Sequence, residues 1–308
     1  MLHANTLQTV TENSQRIMPS LGSVQTTRLV AGQESEVLGF LAQRPIHTVS
    51  MVSLILDNGL VSPLNRGVFY ACRDANGHLE GVALIGHATL METVSDRALR
   101  ALALVARDCT NTHMIMGEQD RIEDYWSYCA NAGQEMRLAC RESLLELRCP
   151  VAVREPVSHM YLATINELEL VMPIQAQMAF EESGVNPLEV DPDGFRKRCA
   201  RRIEQGRTWV VLENGDLVFK ADIISDTPDV IYLEGVWLSE ENRGNDFGVR
   251  CISELSRKLL SRSKSICLLV NENNKRAQAF YKKCGYLFRG TYETIFLPQQ
   301  DQATISVH

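Results

Sequence analysis

The sequence lacks the features that would direct a chain to a membrane or to nucleic acid. Its apolar runs stay well short of the roughly 20 residues that span a bilayer, and residues 1–22 have no apolar core behind a basic start. The net charge of -7 and the pI near 5.6 provide no basic field for a phosphate backbone. We therefore expect a cytoplasmic protein without a membrane or nucleic-acid partner, in which residues 1–22 are a loose leader.

The cysteines lack any pattern of pairing or of metal binding. There are nine of them, an odd number, and none forms a CxxC pair. We expect reduced thiols, in keeping with a cytoplasmic protein, and no metal site.

Length and composition indicate two folded units. A chain of 308 residues with 45% hydrophobic and 22% charged residues can bury a sizeable core in each of two domains of ordinary size. Both units alternate helical and strand-like periods, which predicts an α+β fold, and the run "GVALIGHATL" in the first of them is read as one strand. Pro150 and Pro156 interrupt the periodicity between the units. The predicted division is a leader at 1–22, a first domain at 23–149, a linker at 150–157, a second domain at 158–298 and a tail at 299–308.

A loop in the second domain has the composition of a phosphate-binding turn. Asn214-Gly215 predicts a hairpin upstream of it, and the strand "VIYLEGVWL" leads into the loop Arg243–Gly248. Apolar residues then recur with helical spacing, so a helix begins close to Phe247 or Gly248. Backbone N–H groups at such a helix start suit a pyrophosphate, although an ordinary strand-to-helix connection also uses Gly and Asn.

A second block follows one strand later. "SICLLV" predicts a buried strand, and the residues after it place Ala277, Tyr281 and Cys284 on one face of a helix that Gly285 ends. Asn274 can be a plain helix cap and Tyr281 a core aromatic, or both can line a ligand cleft.

These two blocks together resemble the GNAT family of N-acetyltransferases. The spacing of Asn274, Ala277, Tyr281, Gly285 and Tyr286 matches the family's last block, and the loop 243–248 occupies its pyrophosphate loop. The resemblance covers residues 158–298. The run from "FEESGVNP" through "VFKADI" to "LEGVWL" is similar to a two-domain subgroup whose N-terminal domain is less typical and has no defined function. The resemblance implies a mixed, mostly antiparallel sheet flanked by helices, as a tandem of two GNAT-like domains.

The resemblance also implies an activity and a set of site residues. The reaction would be direct transfer of an acetyl group, in a ternary complex, from acetyl-CoA as co-substrate to a primary amine of a small molecule or peptide. Tyr281 would protonate the departing thiolate, and Glu234 would act as base through water, unless it is a structural carboxylate paired with Lys or Arg. The cofactor contacts would come from Val236, Trp237, Leu238, Arg243, Gly244, Asn245, Asp246, Phe247, Gly248, Val249, Asn271, Asn274, Ala277 and Tyr281.

Several residues keep two interpretations. Glu181 and Glu182 could bind a cationic acceptor or could form a solvated helix end. Lys220 interrupts an apolar strand, either as an edge-strand lysine or as a residue of the cleft. The family has a glycine where this chain has Asp246, whose carboxylate either turns away or weakens cofactor binding. The alternative function is therefore a non-catalytic acyl-CoA sensor or scaffold.

The first domain lacks a glycine loop where a pyrophosphate would approach the backbone. We expect it to bind no cofactor and to shape the acceptor entrance or pair with the second domain, with His87 packed or facing solvent. A third function, aminoacyl transfer from charged tRNA, is disfavoured by the acidic charge. A homodimer is possible.

Overall fold

A single mixed sheet of twelve strands joins the whole chain in the computed structural model, which describes residues 23–130, 135–157 and 159–298. The predicted leader at 1–22 and tail at 299–308 lie outside these residues. The strands are β1 (Gln25–Arg28), β2 (Gly67–Arg73), β3 (Leu79–Gly86), β4 (Ala88–Thr93), β5 (Met114–Glu118), β6 (Leu138–Leu147), β7 (Tyr161–Leu162), β8 (Thr208–Glu213), β9 (Asp216–Asp226), β10 (Val230–Leu238), β11 (Ser265–Asn271) and β12 (Leu287–Phe296).

The helices pack against both halves of this sheet. They are α1 (Glu34–Leu41), α2 (Pro45–Asn58), α3 (Asp96–Ala106), α4 (Gln119–Cys129), α5 (Leu168–Ser183), α6 (Pro187–Val190), α7 (Pro192–Glu204), α8 (Phe247–Leu260) and α9 (Lys275–Lys283). Within the described ranges, no helix combines the length and the apolar character needed to cross a bilayer.

The strand order reveals two halves with the same topology. The order is β1-β2-β3-β4-β5-β12-β6-β11-β10-β9-β8-β7. Each strand of the first half has an equivalent in the second, from β1 and β7 to β6 and β12. When every strand is replaced by its equivalent, the same order is read in reverse. Each half has one parallel pair, β4 with β5 and β10 with β11, among antiparallel neighbours. The predicted α+β fold and the tandem arrangement are therefore confirmed.

The two halves exchange their last strands. β6, from the first half, lies between β11 and β12, while β12, from the second half, lies between β5 and β6. Leu144 is opposite Leu269 on one side and Gly290 on the other, and it is only 2% exposed in the core of the second half. The halves thus share hydrogen bonds and core, and the predicted linker at 150–157 remains a prediction.

Local signals near the C-terminal half specify the expected elements. The Asn214-Gly215 turn joins β8 to β9 with positive φ angles of 53° and 89°, which an Asn-Gly pair adopts at low cost. Helix α8 begins at Phe247, as its apolar periodicity predicts, and buries its Ile252 and Leu255 face. Gly285 ends α9 with φ 90°.

The prediction of one strand for "GVALIGHATL" is wrong. The run turns at Gly86 and His87 and forms the hairpin β3–β4, in which Leu84 is opposite Leu90. A side chain at Gly86 would lie 2.4 Å from the Gly67 Cα atom, so the turn depends on the missing Cβ. A nearly uniform apolar run gives no clear sequence signal for such a turn.

Helix α2 connects the first half to the sheet of the second. Ser53, on this helix, accepts a hydrogen bond from the Asp226 backbone N–H at 3.1 Å, and the Arg207 guanidinium donates to both carboxylate oxygens of Asp57 at 2.7 and 2.8 Å. The sequence analysis did not identify this helix. It places first-half side chains beside β9 and β10.

Because the halves share β6, we expect them to unfold together. Leu144→Ala should lower the free energy of unfolding by about 2–5 kcal/mol, the usual cost of a buried Leu→Ala cavity. Trp126 in the first half and Trp209 in the second report the two sides, in variants that keep one or the other tryptophan. Denaturant titrations should give the same shifted midpoint from both reporters; two separate transitions, with one unshifted, would contradict the shared core.

Candidate functional site

A cleft opens where two parallel strands of the second half diverge. β10 pairs with β11 only at Val230–Tyr232, after which β11 continues against β6 and β10 continues against β9. A β-bulge then redirects β10, because Glu234 is opposite Asp222 while Trp237 is opposite Lys220. Beyond Tyr232, the edge of β10 that faces β11 has no strand partner.

A buried lysine supports this bulge. Lys220 is fully buried, and its ammonium donates to the Gly235 carbonyl oxygen at 2.9 Å, to Asp222 at 2.8 Å and to the Gln175 side-chain oxygen at 2.7 Å. Gly235 has φ 59°, and a Cβ there would lie within about 3 Å of all three of these side chains. The bulge therefore requires glycine.

The charge on Asp222 balances this lysine. Burial opposes ionisation of Asp222, but the charges of Lys220 and Arg202 hold the pKa of its carboxyl below the ordinary value. The interpretation of Lys220 as an edge-strand lysine is wrong, because β9 lies between β8 and β10. Its side chain sits beneath the bulge and lines neither large cavity of the second half.

The cleft beside β10 has a volume of about 540 Å³ and collects all but three of the predicted cofactor residues. Those that line it are Val236, Trp237, Leu238, Arg243, Gly244, Asn245, Gly248, Val249, Asn274, Ala277 and Tyr281. Further lining residues that the sequence analysis did not identify are Met178, Phe219, Arg276, Phe280 and Lys283. Residues that are far apart in the sequence thus line one groove.

Helix α8 presents its first turn to the cleft. Gly248 and Val249 line the groove, and a Cβ at Gly248 would lie 3.1 Å from the Phe280 ring, so the close packing here favours glycine. Arg243 and Lys283 bring positive charge to the same end of the groove. A helix start with neighbouring cations suits a pyrophosphate.

The structure does not place Asp246, Phe247 or Asn271 among the lining residues. Asp246 instead accepts a hydrogen bond from the Lys283 ammonium at 2.6 Å, and this contact holds the pKa of its carboxyl below the ordinary value. Asn271 uses its side-chain oxygen to accept from the Asn273 N–H at 2.9 Å. The Asp246 carboxylate thus lies beside Lys283 at the rim of the groove, and its effect on cofactor binding remains a prediction.

Tyr281 and Asn274 combine a packing role with a place in the cleft. The Tyr281 ring is 8% exposed and meets the Phe280 and Tyr286 rings edge-on at 5.2 and 5.4 Å. Its hydroxyl has no hydrogen-bond partner in the part of the chain that the structure describes, and burial raises its pKa, which keeps the phenol protonated. Asn274 caps α9 by accepting from the Ala277 N–H at 3.0 Å.

A second cavity, of about 510 Å³, lies between the two halves and receives Glu234. Helix α2, β4 and β5 of the first half line it, together with α7, β9 and β10 of the second. Glu142 on β6 and Glu182 at the end of α5 line it as well. The carboxylate of Glu234 makes no hydrogen bond or ion pair within the described ranges, which favours a chemical role over a structural one.

Four carboxyl groups line this cavity, those of Asp57, Glu142, Glu182 and Glu234, and the pKa of each of the three glutamates is raised. Burial is the main cause that raises the pKa of Glu234 and of Glu142, despite a 2.8 Å hydrogen bond from the Thr294 hydroxyl to Glu142. The Glu182 side chain is open to solvent on one side, but protein atoms surround the rest of it. This burial raises the pKa of Glu182 to about 8, and the nearby charges of Glu234 and Glu142 contribute to the same shift.

The two predicted acceptor residues face different cavities. Glu181 lines the cleft beside β10 and accepts from the Gln177 side chain at 2.9 Å, whereas Glu182 lines the cavity between the halves. The end of α5 therefore separates the two spaces. Glu142 was missed because no local pattern in the sequence indicates that β6 joins the second half.

Where β4 and β5 diverge, the described residues of the first half form no comparable groove; a cavity of about 590 Å³ lies elsewhere in this half, lined by residues that include Arg66, Gly86 and His87. Glu92 is the first-half equivalent of Glu234. Each of the two lies two residues after the last residue that pairs with the parallel neighbouring strand, which is Leu90 in β4 and Tyr232 in β10. Arg44, however, binds Glu92 at 3.1 Å and Glu118 at 2.7 Å, and leaves a cavity of only about 30 Å³. His87 stacks on His113, and burial lowers the pKa of His87 to about 4.

Comparisons with known proteins agree with this geometry. Residues 174–286 match the model of the Acetyltransferase (GNAT) family, and no curated protein matches the chain. Each of the following structures is 12% identical to the chain, so the likeness concerns the fold alone.

A Drosophila protein superposes with a TM-score of 0.62 over 89% of this chain and 99% of its own. A tandem GNAT protein from the clavulanic acid biosynthesis pathway gives 0.55 over 91% and 100%, and a GCN5-related N-acetyltransferase from Sphaerobacter thermophilus gives 0.53 over 91% and 98%. Nearly the full length of each structure is therefore matched by this chain.

The hydrogen bonds that Lys220 makes beneath the bulge lead to a stability prediction. Lys220→Met should lower the free energy of unfolding by about 3 kcal/mol, because within the described ranges it leaves buried Asp222 with Arg202 as its one charged partner, beside the Thr208 hydroxyl that donates to it at 2.8 Å. Lys258→Met is the control, since the Lys258 pair with Glu254 is on the surface and its loss should cost about 0.5 kcal/mol or less. Chemical denaturation measures both, and equal losses would contradict the supporting role of Lys220.

Proposed function

Because residues 174–286 form a domain of the GNAT acetyltransferase family, we propose that the protein transfers an acetyl group from acetyl-CoA to a primary amine. The observation that carries the proposal is the cleft at the divergence of β10 and β11. It brings the loop 243–248, Asn274 and Tyr281 together beside the unpaired edge of β10.

The cleft offers groups for each part of the cofactor. The first turn of α8, with Arg243 and Lys283, would hold the pyrophosphate. The pantetheine would lie along the unpaired edge of β10 near Trp237 and Leu238, where backbone groups that lost β11 as a partner need hydrogen bonds. The thioester would then point toward Tyr281.

The acceptor amine would enter from the cavity between the halves. The ammonium group would favour the ionised forms of Glu182 and Glu142, whose pKa values burial raises in its absence, and Glu234 would take a proton from it, directly or through water. The first half supplies part of this cavity wall, which gives a binding role to a half without a cofactor groove.

The reaction would proceed in one ternary complex. The neutral amine attacks the thioester carbonyl carbon, and the tetrahedral intermediate collapses with loss of the thiolate. The Tyr281 phenol donates its proton to that thiolate, and the phenolate regains, through water, the proton that the attacking nitrogen loses, so the products are an amide and free CoA thiol. A thiol titrates near about 8.5, so this help is modest at neutral pH.

The alternative of a non-catalytic acyl-CoA sensor or scaffold rested on Asp246. Its carboxylate pairs with Lys283 and does not line the cleft, which argues against weakened cofactor binding. An unpaired Glu234 in a large second cavity also favours catalysis over simple binding.

Release of free thiol from acetyl-CoA in the presence of a panel of amines tests the activity, and Tyr281→Phe tests the assignment. We expect the variant to lower kcat by about tenfold, near the low end for general acid help, with little change in KM for acetyl-CoA. Tyr286→Phe is the control, because the Tyr286 hydroxyl is buried, unpaired in the described residues and outside the cleft. An unchanged kcat in Tyr281→Phe would remove Tyr281 from the mechanism.

The raised pKa of Glu234 predicts a pH dependence. A base works only when deprotonated, so kcat/KM should fall as the pH drops through the pKa of Glu234, which lies above the ordinary 4.5. Glu234→Gln should lower kcat/KM by about 100-fold at neutral pH and abolish this acidic limb. Glu181→Gln, on the cofactor side, should keep the limb, and a limb retained in Glu234→Gln would assign the base elsewhere.

A further inference from the structure

The cavity between the halves also carries positive charge. Its arginines are Arg66, Arg198, Arg201 and Arg207. Two of them are neutralised, because Arg207 pairs with Asp57 at 2.7 Å and Arg198 with Asp191 at 3.0 Å. Arg66 and Arg201 have no carboxylate within ion-pair distance in the described part of the chain. Arg201 donates only to the Asn58 side-chain oxygen, at 3.3 Å.

Arg66 is held in place by its backbone, while its side chain makes no hydrogen bond to the described residues. It has φ 52°, and its carbonyl oxygen accepts from the His87 N–H at 2.9 Å. Burial, followed by the like charge of Arg198, lowers its pKa. The charge of Asp191, which pairs with Arg198, opposes this shift. Arg66 and Arg201 themselves have no ion-pair partner in the described ranges, and such cations favour an anion from outside.

Within the described ranges, the carboxylates of Glu142, Glu182 and Glu234 form no ion pair with Arg66 or Arg201, although all five side chains line the cavity. The acidic and the basic groups of the cavity wall therefore do not neutralise one another. An occupant could therefore meet both signs of charge at different points.

Tyr232 provides an independent sign of a polar occupant. It lines the cavity, its side chain is 9% exposed, and its hydroxyl has no hydrogen-bond partner in the described ranges. A buried phenol usually finds such a partner. A ligand that fills the space between Tyr232 and the arginines would supply it.

We propose that the acceptor is an amine that also carries an anionic group, a carboxylate or a phosphate, which Arg66 and Arg201 bind while the ammonium lies among Glu142, Glu182 and Glu234. This inference rests on the proposed function and names its substrate class. The first half contributes Arg66 and Glu142, so it selects the acceptor by charge at both ends. A cavity of about 510 Å³ accommodates a whole small molecule of this kind.

Amines of matched chain length test the inference through thiol release. The panel contains straight-chain alkylamines, the same amines with a terminal carboxylate, and the same amines with a terminal phosphate. We expect kcat/KM to be at least about tenfold higher for one of the two anionic series, because a charged group paired with arginine contributes strongly to binding. The preferred series identifies the anion.

Arginine variants then locate the anion site. Arg66→Gln and Arg201→Gln should each raise KM for the preferred anionic amine about tenfold or more, and should change kcat/KM for the plain alkylamine by a much smaller factor. Arg196→Gln is the matched control, because it lies on α7 with Arg201 but pairs with Glu169 and does not line the cavity. Equal rates for all three series, or equal effects of the variants on all of them, would overturn the inference while leaving the acetyltransferase proposal intact.

A binding measurement separates failure of the inference from failure of the proposed function. Calorimetric titration of the acetyl-CoA-free protein with the anionic and plain amines reports recognition without turnover. Tighter binding of one anionic series than of the plain amines, with weaker binding in Arg66→Gln, would support the anion site even if no thiol is released. The absence of thiol release would then count against the transferase activity alone. Equal binding of anionic and plain amines, or no binding of either, would overturn the anion site.

Discussion

The pairing of β6 with β12 is the interaction on which the rest of this molecule depends. Each of these strands ends one half of the chain and adds to the sheet of the other, so neither core is complete without both. β6 also holds β11 on the side away from β10, which leaves β10 free to follow β9 into the bulge at Gly235. The cleft is thus a consequence of where β11 finds its partner, and Glu142 reaches the second-half cavity on the same strand.

Equal topology does not give equal chemistry in the two halves. β4 and β5 diverge as β10 and β11 do, yet Arg44 fills the gap by pairing with Glu92 and Glu118, and the chain enters α3 two residues after β4. In the second half the corresponding Glu234 keeps its carboxylate unpaired among the described residues, and an eight-residue connection runs from β10 to α8. A buried carboxylate that is already paired has little capacity to take a proton from a ligand.

Local signals in the sequence predicted what depends on local physics. The Asn214-Gly215 turn, the start of α8 and the cap at Asn274 each follow from a few neighbouring residues, and the groove residues follow from the two blocks that the family shares. The exchange of β6, the bulge support by Lys220 and the presence of Glu142 in the cavity between the halves depend on contacts between distant segments. A strand pattern states which face is buried but not which strand lies beside it, so these features required the structure.

The bulge at Gly235 explains why two cavities can serve one reaction. Glu234 precedes it and lines the cavity between the halves, whereas Val236 follows it and lines the groove beside β10. In a regular strand these two residues would point to the same face; the extra residue of the bulge changes that alternation. In the proposed reaction, base and thioester would then approach each other across β10 from separate entrances, so that cofactor and amine would not compete for one opening. Lys220 keeps this arrangement in place by binding the Gly235 carbonyl oxygen from within the core, which makes a fully buried charge part of the geometry of the site.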